Sequence, residues 1–206
     1  MTKFFSGSNK TNGMNRPIVV VSGLPRSGTS MMMRMLAEGG LQLVTDELRR
    51  PDPDNPNGYF EFETVRQMSA GNVAWLENAH GKAVKVISAL LEYLPANYVY
   101  KVIFLEREIK EVLASQQKML AHRNEESKVD DDVLESQIQK HLSAMKPWLV
   151  RQPNMEVLFV NYNALINQPK PLCDQIIEFL DLPLNEAQML AVPDKKLYRN
   201  RMAVEK

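Results

Sequence analysis

The sequence predicts an α/β fold in three layers, a central parallel sheet flanked by helices. Short β-branched runs alternate along the chain with segments of helical spacing, the pattern of repeated strand–helix units. Most of those runs are continuously apolar rather than alternating, as strands buried on both faces of a parallel sheet are. No Pro-, Gly- or Ser-rich linker divides the chain after residue 17. Its 206 residues are little more than one domain at ~150 residues per domain, so residues 17–206 read as a single domain behind a flexible tail, 1–16.

The tail is rich in Ser, Asn, Gly and Lys and has no period. Pro17 to Ser22 (Pro-Ile-Val-Val-Val-Ser) is the first strand, and Thr29 to Glu38 a helix stopped by Gly39-Gly40. Residues 50–58 carry three prolines, two Asp, two Asn and a Gly, a long loop. Glu61 to His80 reads as one helix and Ala83 to Ile87 as a second strand. After Pro95, Tyr100 to Leu105 is a third strand, followed by a helix from Glu108 to Leu120 with apolar residues at 109, 112, 113 and 120. Asp130 to Val150 is a helix whose three leading Asp suit its amino-terminal dipole. Val157 to Val160 is a fourth strand, and Pro171 to Leu180 a helix ending before Leu182-Pro183.

Composition narrows function. With 25 Lys+Arg against 25 Asp+Glu there is no general attraction to nucleic acid or an anionic membrane, so anion binding must come from a local site. The longest apolar run, Ile18 to Val21, is far short of the ~20 residues that span a bilayer. The lone Cys173 excludes an internal disulfide and a cysteine metal cluster and, with no amino-terminal export signal, suits a cytoplasmic protein. His80, His122 and His141 are scattered and read as surface or core residues, so no metal is expected.

The informative segment is Val19 to Ser30. A strand ends at Ser22, a small-residue loop turns, and a helix starts near Thr29; backbone N–H groups at such a junction cradle anions. The nucleotide-hydrolase loop reads G-x-x-x-x-G-K-[ST]. Gly23, Gly28 and Ser30 fit it, but Thr29 replaces the lysine and Arg26 sits inside the loop. An ATP-dependent small-molecule kinase would lack its phosphate-binding charge; a non-catalytic nucleotide binder would not need it.

Pro25-Arg26-Ser27-Gly28-Thr29-Ser30 resembles the 5′-phosphosulfate loop of the sulfotransferase family, in the form closest to tyrosylprotein sulfotransferases. That family's 3′-phosphate site follows its third strand as an Arg with a Ser eight residues on; Arg107 and Ser115 match it. Read from the residues alone, Arg107 could instead pair with Glu108 or Glu111 at the surface. If it grips the 3′-phosphate, its removal should cost donor affinity and change overall stability little. The resemblance, over roughly residues 17–202, implies a P-loop fold and transfer of a sulfuryl group from 3′-phosphoadenosine 5′-phosphosulfate to a hydroxyl or amine, without a metal.

The resemblance also implies roles. Lys85 falls where the family places a lysine that stabilises charge on the departing phosphate, and Ile87 stands where one branch has a His base. Counting twenty-two residues from Pro25 reaches Glu47, the position of the tyrosylprotein enzymes' base, with Arg49 where they hold an arginine near the acceptor; Glu61 is the other candidate base. The basic segment after Asp194, with Arg199 and Arg201, could close over the 3′-phosphate. The acceptor's identity and the oligomeric state carry no readable code.

Overall fold

The computed structural model describes residues 16–194 except 47, 53, 54, 56, 57, 126 and 128; the expected tail, apart from Arg16, lies outside the described residues, as do Glu47, Arg199 and Arg201. Five strands form one parallel sheet: β1 (Ile18–Gly23), β2 (Leu43–Val44), β3 (Ala83–Lys85), β4 (Tyr100–Glu106) and β5 (Met155–Asn161), in the order β2-β3-β1-β4-β5. The two-residue edge strand β2 is too short to carry a sequence pattern. Among the described residues six α-helices surround the sheet: α1 (Thr29–Glu38), α2 (Ile109–His122), α3 (Asp131–Val150), α4 (Tyr162–Asn167), α5 (Pro169–Leu180) and α6 (Glu186–Leu190).

β1 shows why the apolar runs are continuous. Val19 and Val21 enter a core shared with Met32, Leu36, Ile176 and Met189 from α1, α5 and α6. Ile18 and Val20 enter the opposite core with Val65, Leu76, Leu91 and Leu149. Side chains alternate faces with period two, and both faces are covered, so every position must be apolar.

One expected helix differs. Residues 61–80 form not one helix but two 3₁₀ helices, Glu63–Ala70 and Ala74–Asn78. Gly71, at φ +84°, ends the first, its N–H returning to Met68 O; a left-handed glycine stops a helix at its carboxy end. A third 3₁₀ helix, Ser88–Tyr93, occupies a stretch to which the sequence reading assigned no element. Asp181, where the resembling family has Gly, ends α5 at φ +54°, ψ +47°, a left-handed conformation that Asp tolerates better than most residues. Asn161 ends β5 and caps α4, its Oδ1 accepting the Ala164 N–H at 2.8 Å.

In the parallel register Val21 lies opposite Lys85, Gly23 opposite Leu105 and Glu106 opposite Asn161. The segments leaving β1, β3, β4 and β5 therefore emerge on one edge, the carboxyl edge at which open α/β sheets bind ligands.

Candidate functional site

At that edge lies a cavity of about 500 Å³. Its floor is the turn between β1 and α1. Ser27 closes the turn with both its hydroxyl and its N–H on Leu24 O, at 2.7 and 3.1 Å. Ser27 thus shapes the loop from a fully buried position, while Pro25, Arg26, Gly28, Thr29 and Ser30 line the cavity. Gly28, the N-cap of α1, makes no side-chain cap, so no capping side chain competes for the amides of the first turn, which helix geometry leaves unbonded.

The turn is strained where it meets the cavity. Arg26 sits at φ +71° and Gly28 at φ +102°. A Cβ on Gly28 would lie 2.3 Å from Tyr162 Cδ2. Gly28→Ala is expected to destabilise the protein by about 1–3 kcal/mol from backbone strain alone, with the displaced Tyr162 adding to it. A shift in the denaturant midpoint worth under about 0.5 kcal/mol, the range of a surface change, would show that the loop adapts freely.

The structure brings Arg26, Arg107 and Ser115 together. Arg26 Nε donates to Ser115 Oγ at 3.0 Å, and Arg107 Nη1 donates to Arg26 O at 3.0 Å. Arg107 Nε pairs with Glu111 Oε2 at 3.0 Å, and the guanidinium stacks on Tyr162, 4.6 Å from the ring centroid. The Glu111 pairing weighed from sequence is therefore real, but it is internal: the side chains are 7% and 3% exposed. Asn163 Nδ2 donates to both Glu111 oxygens, at 3.1 and 3.2 Å. Burial raises the Tyr162 pKa, partly opposed by Arg107.

Lys85, at the end of β3, reaches the other side of the turn. Its Nζ donates to Tyr59 O at 3.1 Å, Ser30 Oγ at 3.3 Å and Glu61 Oε1 at 3.3 Å. Burial holds its pKa below the usual lysine value, with Glu61 pulling it back up. Asn55 Nδ2 donates to Ser30 Oγ at 2.9 Å. Glu61 also binds Arg49 and Arg66. Arg49 lies over Tyr59, 3.3 Å from the ring centroid, and the Tyr59 hydroxyl donates to Asp52 at 2.6 Å. Burial and then that hydrogen bond raise the Tyr59 pKa.

Sequence reasoning missed Arg66 and the lining role of Lys118, whereas Tyr59, His122 and Arg123 lie in the loops Thr45–Phe62 and His122–Val129, from which it expected acceptor contacts. His122 lines this cavity, whereas His141 bonds Ser88 Oγ at 2.9 Å and His80 packs on Tyr98. For Glu111 a signal existed: Glu111 and Ser115 lie four apart on one face of α2, and Arg107 stands four before Glu111, just ahead of the helix N-cap Glu108.

The site thus offers an anion cradle at a helix amino terminus, a buried lysine beside it and a fixed guanidinium pair across it. Among the described residues no group of three or more His, Cys, Asp or Glu could hold a metal, and no helix is long and apolar enough to cross a membrane. A comparison with curated proteins finds no match. Solved structures share the fold at low identity. A sulfotransferase domain from the curacin biosynthetic pathway has a TM-score of 0.54 and 16% identity, over 88% of this chain and 79% of that one. The sulfotransferase domain of the Synechococcus PCC 7002 olefin synthase has a TM-score of 0.51 and 15% identity, over 97% and 87%. Sulfotransferase STF9 from Mycobacterium avium has a TM-score of 0.52 and 15% identity, over 85% and 67%. The model of the sulfotransferase domain family matches residues 16–202, from before β1 to beyond the last described residue. With the loop, the fold and that match in agreement, the chain belongs to the sulfotransferase domain family.

Proposed function

We propose that the protein transfers a sulfuryl group from 3′-phosphoadenosine 5′-phosphosulfate to a hydroxyl or amine acceptor, with residues 17–206 acting as one cytoplasmic domain. The observation that carries this reading is the juxtaposition of Arg26 with Ser115 and Arg107, 89 and 81 residues away in sequence. It supports a second anion subsite beside the phosphate loop, suited to a terminal phosphate that ATP does not carry. Arg forks and hydroxyls grip such a group.

The residues present fit the donor. Residues 25, 26 and 28–30, on a turn that Ser27 closes from within, would hold its 5′-phosphate side and Arg107, Ser115 and Arg26 its 3′-phosphate; Arg199 and Arg201 are proposed to add to the latter. When bound, the donor supplies an activated sulfuryl group on a phosphate leaving group. Lys85 and the amides at the start of α1 are placed to stabilise negative charge there, a term strengthened by exclusion of water. Glu47 is the proposed base for the acceptor's proton. Its replacement by Gln is expected to lower turnover ~10²-fold or more while nucleotide binding persists.

Binding tests the donor first. Adenosine 3′,5′-bisphosphate without Mg²⁺ should stabilise the fold by about 2.7 kcal/mol at 100 times its dissociation constant, and ADP by much less. Equal melting shifts for the two nucleotides, or a strict need for Mg²⁺, would point to a kinase. Radiolabelled sulfate transfer to a panel of phenols, alcohols, sugars and peptides then separates an enzyme from a non-catalytic nucleotide binder.

A further inference from the structure

Glu61 faces three cations at once. Its Oε1 accepts from Arg49 Nη1 at 3.2 Å and from Lys85 Nζ at 3.3 Å, and its Oε2 from Arg66 Nη2 at 3.3 Å and Arg49 Nη1 at 3.4 Å. The Lys85 side chain is 9% exposed and that of Glu61 24%. The anchor is itself fixed, since Arg49 is stacked on Tyr59. The backbone of Glu61 is fastened as well: its carbonyl accepts from Thr45 Oγ1 at 2.9 Å and from Asp46 N at 3.3 Å. Both carboxylate oxygens are thus occupied by donors. An acceptor hydroxyl would have to displace a lysine or an arginine to deliver its proton there.

We propose that Glu61 is a positioning residue rather than the base: anchored by Arg49 and Arg66, its carboxylate holds the Lys85 side chain against Ser30 and the start of α1, as counter-ion of that ammonium. The inference rests on the proposed role of Lys85 in stabilising charge at the donor. Lys85 is hemmed in by Arg49 and Arg26, by the neutral Ser30 hydroxyl and Tyr59 carbonyl, and by Glu61. Burial, Arg49 and Arg26 all favour loss of the Lys85 proton, and Glu61 opposes them. A lysine is charged below its pKa, so any step that uses the ammonium is lost as pH rises through that value. Neutralising Glu61 removes the opposing influence and moves the loss to lower pH.

The test needs neither donor nor acceptor at first. Competitive acetylation of lysines across a pH series, read on the Lys85 peptide by mass spectrometry, titrates Lys85 in the free protein. In Glu61→Gln the Lys85 titration is expected to fall by about one pH unit or more, the least that a close opposite charge is worth. Glu61→Asp, which retracts the charge by one methylene, should shift it the same way by less, and it serves if the Gln variant does not fold. An unmoved Lys85 titration overturns the proposal. With an acceptor in hand, the alkaline limb of kcat should move down by the same interval, beside the loss of rate that a less firmly held Lys85 brings. A loss with the alkaline limb unmoved would make Glu61 the proton acceptor and also overturn it. A shifted Lys85 titration in a protein that transfers no sulfuryl group supports the counter-ion role and sinks the proposed reaction instead.

Discussion

Arg107→Ala is expected to weaken binding of adenosine 3′,5′-bisphosphate by about 1.5–3 kcal/mol, the loss of a charge-assisted contact, or roughly 10- to 150-fold. It is also expected to destabilise the protein by about 3–5 kcal/mol, because removing one partner of a buried ion pair strands the other. This second effect reverses the expectation from sequence that stability would barely change. Glu111, 3% exposed, keeps its Asn163 donor, which places the cost at the low end of the range. The two losses separate in a double variant. Adding Glu111→Gln to Arg107→Ala removes the stranded charge and should recover much of the denaturant midpoint, yet restore none of the nucleotide affinity measured by calorimetry. Unchanged affinity in Arg107→Ala would return the arginine to a purely structural role. Unchanged stability would mean that Glu111 finds solvent when its partner leaves.

The same cluster shows how far the sequence could be read. β1, β4, α1, α2, α3 and α5 were legible because buried parallel strands and amphipathic helices impose periods on the residues that form them. The phosphate loop was legible because Gly23 and Gly28 answer to backbone geometry. Gly28 meets Tyr162 across 134 positions of sequence, though, and only the structure supplies that neighbour. Arg107 and Ser115 were legible as a spaced pair, while their tie to Arg26 was not. The side of the cavity built by Tyr59, Glu61 and Arg66 was least legible. Its contacts join loop and 3₁₀ segments, where no period constrains side-chain direction and each partner is chosen by tertiary placement alone. The mistaken single helix over 61–80 has the same origin, a weak period broken by one left-handed glycine, Gly71.

Lys85→Met should separate function from stability in the opposite sense to Arg107→Ala. If Lys85 stabilises charge at the departing phosphate oxygen, its loss should lower kcat by about 10²–10³, the effect of deleting one preorganised donor from a water-poor site. Stability should hold or rise slightly, for two reasons. Glu61 keeps Arg49 and Arg66 and is not left without a partner, and the ammonium of Lys85 is held in a place where burial disfavours it. The sign of that penalty sets a pH signature. The folded protein releases the Lys85 proton at a lower pH than the unfolded chain, so between the lowered pKa and the ordinary lysine value of 10.5 the unfolded state binds more protons and stability rises with pH. Below that window the penalty is present in full, and the Met variant, free of it, should gain most there and show no such rise. Urea unfolding from pH 7 to 10 would measure this directly, beside single-turnover transfer at neutral pH. A variant that loses several kcal/mol of stability would mark Lys85 as a structural tie between β3 and Tyr59. A variant with unchanged kcat would move the charge stabilisation from Lys85 to the α1 amides and Arg26. The combination of lost turnover with retained or improved stability is what a charged group kept in place for catalysis, against its own solvation, must show.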